Sequence, residues 1–342
     1  MTLVVQRFSG AAAEWDAVVR RSLGWTHFHL LGWRDVIERT FGHECLYLGA
    51  RDTDGTLVGV LPLVDVRGII FGRFLVSMPF VSYGGPLGSP AAIAALAVAA
   101  VEEARRRDVK LLELRSRREQ PIVLPVSHRK ITVLLDLPPG DPEALWDALP
   151  AKLRSQIRRP QKEGVEVRFG ADQVEPFYKV FARHMRDLGT PVQSRRLFES
   201  IAATFPDDAW FACAYRGSRP IAGGCGLRWS DEYEITWASA LREFNALAPN
   251  MLVYWRMIER CIREGARVFS FGRCTPNGGT HRFKRQWGGR DEPLWWYQWN
   301  SAGVTATPSA DAGAYAWGRR VWQRLPLAVA NGLGPLLVRG VP

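Results

Sequence analysis

The chain is short of acidic charge. Its 342 residues carry 45 Lys and Arg against 34 Asp and Glu, a formal net charge of +11. An acidic surface is therefore excluded, and an anionic partner is favoured: nucleic acid, a phosphate-bearing substrate or an acidic membrane face. Arginine greatly outnumbers lysine, so part of the excess reads as a generally Arg-rich surface. Cysteine is also scarce. Cys45, Cys213, Cys225, Cys261 and Cys274 are odd in number, widely spaced and without a CxxC, which argues against a disulfide frame or a zinc site and for reduced thiols in a cytoplasmic protein. No long hydrophobic run occurs. The most apolar stretch, Ala91 to Val101, stops at Glu102-Glu103, too short to span a bilayer. Met1 to Gly10 lacks the basic-then-apolar order of a secretory signal. There is no GxSxG, HExxH, Walker loop or GxGxxG after a strand, and the six histidines show no metal spacing. Serine-type and metal-dependent hydrolysis rank low, and neither a metal nor a fixed cofactor is implied.

What is present is material for two cores. Apolar residues make up 47% and charged residues 23%, an ordinary globular balance at a length that suits two domains. The chain also repeats itself at a distance of about 160 positions, so the repeat unit is a whole domain. Copy one has Cys45 to Ala50, the turn Asp54-Gly55, then Leu57 to Leu63. Copy two has Trp210 to Tyr215, the turn Arg216-Gly217, then Ile221 to Leu227. Both read as hairpins, the glycine supplying the positive φ that a tight turn needs. A strand-like Phe80 to Tyr83, a helix from Ala91 to Arg107 and a strand at Val109 to Arg115 follow the first hairpin. Tyr233 to Ala238, a helix from Met251 to Glu264 capped by Asn250 and Gly265, and Ala266 to Arg273 follow the second. Helical patterns precede each hairpin: Glu14 to Arg21 and Gly32 to Phe41, then Val174 to Leu188 and Ser194 to Phe205.

The order hairpin, strand, helix, strand in both halves predicts an α/β (α+β) fold with two mixed sheets flanked by helices. The proline-rich link at Leu137 to Pro142 and a helix from Glu143 to Arg159 place the division near 140. The expected domains are 1–140 and 141–305, with a tail at 306–342.

Three segments carry candidate chemistry. Lys152 to Lys162 is basic without acidic compensation; Arg154 and Arg158, four apart, share a helix face and suit phosphate contact or, more simply, a solvated face. Arg183 to Pro191 ends a helix with cations, as the helix dipole favours; Arg183 is a substrate-binding candidate and His184 reads as a packing or surface histidine. The strongest is Phe271-Gly272-Arg273, then Asn277-Gly278-Gly279-Thr280, then Phe283 to Gly289. A strand end followed by a Gly-rich loop places amides where ligands of α/β proteins gather. Phe283 and Trp287, four apart, read as core staples, and Lys284 reads as the functional cation. Tyr83 and Trp237, on the corresponding strands of the two copies, complete the substrate-binding candidates with Lys152, Arg273, Gly278, Gly279 and Trp287, and Phe283 stands with Lys284 as the catalytic pair. The stretch before the second-half helix, Arg242 to Asn250, matches poorly the Arg/Gln-x-x-Gly-x-Gly/Ala loop that holds the pyrophosphate of acetyl-CoA, and Pro249 removes an amide.

With these pieces in view, the sequence resembles the FemAB (FemABX) family of GNAT-related proteins, and most of all the FemAB-like proteins associated with PEP-CTERM/exosortase and exopolysaccharide loci. The resemblance rests on Lys152 to Gly164, Gly189-Thr190-Pro191, Ala222-Gly223-Gly224, Asn250 to Trp255, Phe271-Gly272-Arg273 and Phe283 to Gly288, and covers about residues 20 to 300. It implies two tandem GNAT-like domains and transfer of an aminoacyl group from aminoacyl-tRNA to the amine of a peptidoglycan precursor. It also implies that Phe283-Lys284 matches the closing Phe-Lys pair, whose lysine contacts substrate and helps the transition state. The chain lacks the long charged helical insertion of some members. Relatives in the wider group imply polysaccharide-related acceptors, with acyl-CoA or acyl carrier protein as alternative donors.

Two rival readings remain at this level. One is a non-enzymatic accessory protein binding a polyanion. The other concerns Trp317 to Pro342, where Arg319, Arg320, Arg324 and Arg339 alternate with apolar residues: the tail either lies on the inner membrane or docks on the second domain.

Overall fold

The computed structural model describes residues 3–68, 71–302 and 312–341, the side chains of 312–317 excepted. Its chain divides into two compact units. Unit 1 comprises Met1–Lys130, Pro293–Ser309 and Leu336–Pro342, and unit 2 comprises Ile131–Glu292 and Ala310–Pro335.

In chain order the first unit contributes β1 (Val4–Arg7), α1 (Ala12–Arg21), α2 (Gly32–Phe41), β2 (Glu44–Cys45), β3 (Leu48–Arg51), β4 (Leu57–Leu61), β5 (Leu63–Gly68), β6 (Gly72–Ser77), β7 (Leu87–Gly88), α3 (Pro90–Arg106), β8 (Leu111–Ser116) and β9 (Val126–Ser127). Then come β10 (Ile131–Asp136), α4 (Pro142–Ala148), α5 (Ala151–Lys162), β11 (Val165–Phe169), α6 (Val174–Leu188), α7 (Arg195–Thr204), β12 (Ala209–Arg216), β13 (Arg219–Trp229), β14 (Glu232–Ala240), α8 (Pro249–Arg263), β15 (Val268–Cys274), α9 (Gly279–Arg285) and β16 (Arg290–Pro293). The chain closes with β17 (Trp295–Trp299), α10 (Ala312–Arg324) and α11 (Leu327–Val338).

Unit 1 holds a four-stranded sheet, β1-β3-β4-β7, and a six-stranded sheet, β2-β5-β6-β8-β17-β9. Unit 2 holds one seven-stranded sheet, β11-β12-β13-β14-β15-β10-β16. In each unit an antiparallel ladder is followed by a strand, a helix and a parallel partner strand: β6 beside β8, and β14 beside β15. The expected α/β repeat is therefore present at the level of strand order. The core of unit 2 lies between the sheet and α8 with α5, built on Tyr233, Ile235, Met257, Ile258, Phe269 and Phe271. That of unit 1 packs α3 onto the sheets through Ala92, Leu96 and Ala100.

Local chemistry explains the elements. Ser89 caps α3 by accepting from the Ala92 amide (3.2 Å), with Pro90 in the first turn, as capping rules favour. Gly217 (φ +61°) makes the turn between β12 and β13. Several details depart from expectation. Cys45 to Ala50 is not one strand, because β2 and β3 pair into different sheets. Phe80 to Tyr83 is not a strand either. The strand is β6, and beyond it Met78 and Phe80 adopt positive φ (54° and 71°) while the Gly84 and Gly85 amides bond to Arg115 O. The helix expected from Glu143 to Arg159 is broken into α4 and α5, since Pro150 keeps Leu149 extended (ψ 143°). Asn250 does not cap α8; Ala248 does, and Pro249 occupies the first turn. Gly265 (φ +80°) does follow its end.

The division near 140 is displaced as well. Ile131–Asp136, read as the end of the first domain, pairs with β15 in unit 2, while Trp295–Trp299, read as the end of the second, pairs with β8 and β9 in unit 1. The tail is helical where described; residues 306–311 lie outside the described residues.

One tight contact braces β13 on β14. A Cβ at Gly226 would collide with the Glu234 carbonyl oxygen and the Tyr233 hydroxyl. Backbone cannot step aside as a flexible side chain can. Gly226→Ala is expected to lower unfolding free energy by about 1–3 kcal/mol in urea titration, with the loss reported by unit 2 tryptophans such as Trp210 and Trp237.

Candidate active site

Parallel pairing between β14 and β15 runs from Glu232↔Val268 to Glu234↔Ser270 and stops there. Beyond that point each strand bonds only to its outer neighbour, β14 to β13 and β15 to β10. The carboxyl ends of the two parallel strands thus part, where α/β sheets commonly take ligands.

A buried polar chain lies at the parting. Glu234, Ser270 and Thr132 are fully buried. The Ser270 hydroxyl donates to Glu234 Oε2 (3.1 Å), so Thr132 Oγ1, 3.3 Å from Ser270 Oγ, donates to it. The Gly272 amide also donates to Ser270 Oγ (3.2 Å). Gly272 takes φ +67°, a left-handed bend that glycine adopts without strain. That bend presents its carbonyl to Lys284: Nζ donates to Gly272 O at 2.6 Å and to Arg273 O at 2.9 Å.

Lys284 is placed by its neighbours in α9. Phe283 packs edge-on to Tyr254 at 5.0 Å, and Trp287 sits 6.1 Å from both Tyr254 and Phe271. The two aromatics do serve as staples, and the lysine between them is driven inward, with only 4% exposure. Burial above all, against raising effects from Cys274 and Glu234 and with a smaller lowering from Arg273, brings its pKa down to about 8. An ammonium has three N–H donors. Two are engaged by carbonyls, and the third is available to a developing anion. Among the described residues the Trp287 indole N–H and the Thr236 hydroxyl are buried without a hydrogen-bond partner.

The other candidates fall in different places. Arg273 adjoins Lys284 through its carbonyl. Gly278 caps α9, but its amide bonds to Thr275 O (3.4 Å), so it is not a spare donor; Gly279 opens the helix. Trp237 is buried edge-on against Phe198 at 5.4 Å, as a packing residue of β14. Arg183 is exposed and pairs with Asp187 at 3.4 Å. His184 Nδ1 lies 2.9 Å from Ser239 Oγ, and burial lowers its pKa, which keeps it neutral at pH 7. Lys152, Arg154 and Arg158 are not brought to Lys284. Their helix α5 contacts α8 and the edge strand β11, whereas α9 contacts β10 and β15. Four strand spacings, about 19 Å, separate β11 from β15 in the sheet order. Arg154 pairs with Asp147 (3.5 Å), the Arg158 guanidinium stacks on Trp146 (5.0 Å), and with Arg159 and Lys162 they form an open basic face. Tyr83 belongs to unit 1, fully buried against Phe28.

At the corresponding parting of unit 1 an arginine stands in place of the lysine. The Arg115 amide donates to Ser77 Oγ (2.7 Å), and its guanidinium reaches Val81 O (3.1 Å) and Glu113 (2.8 Å), both charges buried. Sequence reasoning missed Glu234, Ser270 and Thr132. Their signal was present: single polar residues inside otherwise apolar strands, as in Val268-Phe269-Ser270-Phe271.

Comparison with known proteins fits this geometry. Residues 150–285 match the family described as "Acetyltransferase (GNAT) domain". A search of curated sequences finds no match. Among solved structures, FemX is 14% identical, with a TM-score of 0.67 over 88% of this chain and 98% of its own. The C-terminal domain of a putative lysylphosphatidylglycerol synthetase from Agrobacterium fabrum is 13% identical, with a TM-score of 0.58 over 85% and 92%. A tandem GNAT protein from the clavulanic acid biosynthesis pathway is 14% identical, with a TM-score of 0.57 over 89% and 100%. Residues 150–285 thus match a GNAT domain, the chain shares its fold with FemX and with the tandem GNAT protein of the clavulanic acid pathway, and it is an acyltransferase.

Proposed function

We propose that the chain transfers an aminoacyl group from aminoacyl-tRNA to an amine or hydroxyl of a cell-envelope acceptor, a peptidoglycan precursor or surface polysaccharide, with Lys284 stabilising the oxyanion. The observation that carries this reading is the buried Lys284 ammonium, fixed on two carbonyls where β14 and β15 part. The acceptor attacks the ester carbonyl, the carbonyl oxygen takes up negative charge, and the bond to the carrier then breaks as the acceptor's proton passes to the leaving oxygen. The third N–H of Lys284 meets that oxygen. Such preorganised donors act in a water-poor site without reorganisation, and proximity of donor and acceptor supplies much of the remainder.

Two features favour tRNA over acyl-CoA as donor. The start of α8, where a pyrophosphate cradle would form, has Pro249 without an N–H, and the Met251 amide is spent on Ala248 O (3.0 Å). The α5 face offers cations suited to a phosphate backbone. The resemblance to Fem-type proteins supports the aminoacyl donor, and the resemblance to PEP-CTERM-associated members supports a polysaccharide acceptor at the cytoplasmic side of the envelope. A second reading, acyl-CoA or acyl carrier protein as donor, is favoured by the acetyltransferase family match. Transfer assays with each donor, read alongside mass spectrometry of envelope precursors from a deletion strain, separate the two.

The lysine assignment predicts that Lys284→Met keeps the fold and loses about 10²–10³ in kcat in single-turnover transfer; a full rate in a folded variant rejects the role. Because the ammonium is the active form, the Lys284 contribution to the rate is lost as pH rises through about 8. Glu234→Gln removes a negative charge that raises the Lys284 pKa, so the falling limb should move to lower pH. ¹³C NMR of the lysine ε-carbon reads the same shift without turnover. On the donor side, Arg158→Gln with Lys162→Gln should weaken tRNA binding and flatten its salt dependence by about one unit of slope for each phosphate left unneutralised.

A further inference from the structure

The C-terminal helices offer a surface that acyl transfer does not use. Residues 312–342 contain four arginines, Arg319, Arg320, Arg324 and Arg339, and no acidic residue. The tail is docked. Arg319 Nη2 donates to Leu188 O (3.3 Å), Gln323 Nε2 to Asp187 O (3.1 Å), and Arg186 Nη1 to Leu325 O (3.1 Å). Trp322 and Ala330 are buried, and Gly334 lies so close to Val192 that a Cβ would come within 2.9 Å of its amide nitrogen. One side of α11 is therefore committed to unit 2.

The other side faces water and is aliphatic. Val329 and Leu333 are 42% and 46% exposed. Their spacing of four places them on one face. No residue of α11 is charged. Its 12 residues reach about 18 Å, short of the roughly 30 Å hydrocarbon core, so the helix can lie along a bilayer and not cross it. Arg320 and Arg324, on α10 of the same unit and separated from α11 only by Leu325-Pro326, are exposed as well. A second copy of the chain is a poor occupant, because it would bring two such arginine sets together with no acid within residues 312–342 of either copy. Anionic headgroups neutralise them.

We propose that α11 docks the protein on an anionic phospholipid surface, with Val329 and Leu333 inserted among the acyl chains and Arg320 and Arg324 on the phosphates. Interfacial helices gain from both terms, and each arginine near an anionic surface contributes about fivefold in affinity. Docking of this kind is independent of the lysine chemistry and of the donor.

The test is flotation of the full chain with phosphatidylglycerol/phosphatidylcholine vesicles against pure phosphatidylcholine. Wild type is expected to float with the anionic vesicles only, and to be released by salt. Val329→Asp with Leu333→Asp should cut partitioning about tenfold or more, and Arg320→Gln with Arg324→Gln about fivefold per arginine. The arginine pair, exposed and remote from any core, keeps the test valid should the aspartate pair unfold the chain. Failure of wild type to float overturns the proposal, as does unchanged partitioning of the arginine pair or of a folded aspartate pair. A wild-type dimer that Val329→Asp with Leu333→Asp dissolves, without vesicle binding, overturns it in favour of self-association.

Discussion

A lysine ammonium held in a place nearly closed to water is the constraint around which unit 2 is organised. Removing a cation from water is costly unless hydrogen bonds replace its hydration. Here the replacement is two backbone carbonyls, presented by a strand that bends at Gly272. The bend is held in turn by Ser270, whose oxygen takes the Gly272 amide while its proton goes to Glu234. Glu234 thus serves twice, as an anchor for the bend and as a negative charge that partly offsets the cost of the buried cation. The aromatic packing of Phe283 and Trp287 then fixes where the lysine's helix can sit.

The contrast between the two units follows from the same logic. Both carry a parallel strand pair, and both have polar atoms where the pair ends. In unit 1 the buried cation is spent there: Arg115 puts its amide on Ser77 and its guanidinium on Glu113 and Val81, while Ser116 Oγ has no partner among the described residues. In unit 2 the corresponding place keeps one lysine donor in reserve, and the Trp287 indole and Thr236 hydroxyl have no partner among the described residues. One architecture therefore yields a junction whose cation is spent internally and a junction whose cation keeps a donor in hand.

Much of this was legible before any coordinates. Helices at Gly32–Phe41 and Val174–Leu188 emerge at the expected bounds, because each has an apolar face and ends at a left-handed glycine. The hairpins and the Phe283–Lys284–Trp287 cluster were legible from glycine turns and aromatic spacing. The rest was hidden for identifiable reasons. Phe80 to Tyr83 has strand-like composition, yet positive φ at Met78 and Phe80 curls the backbone away, and nothing in the local pattern encodes that. The α5 cations and Lys284 both read as substrate contacts, since the sequence says nothing of sheet order, which sets their helices against different strands. Glu234 and Ser270 were passed over because a polar residue in an apolar strand gains its meaning only once its partner is known.

The exchanged strands have a consequence for how the chain can be cut or evolved. Ile131–Asp136 sits between β15 and β16, and Trp295–Trp299 between β8 and β9. A gene severed at the midpoint would therefore encode two fragments, each missing an interior strand of its own sheet and each carrying an orphan strand that belongs elsewhere. Neither half could be inherited, lost or transplanted as a free-standing module. After the exchange arose, the duplicated halves were bound to travel as a single heritable piece.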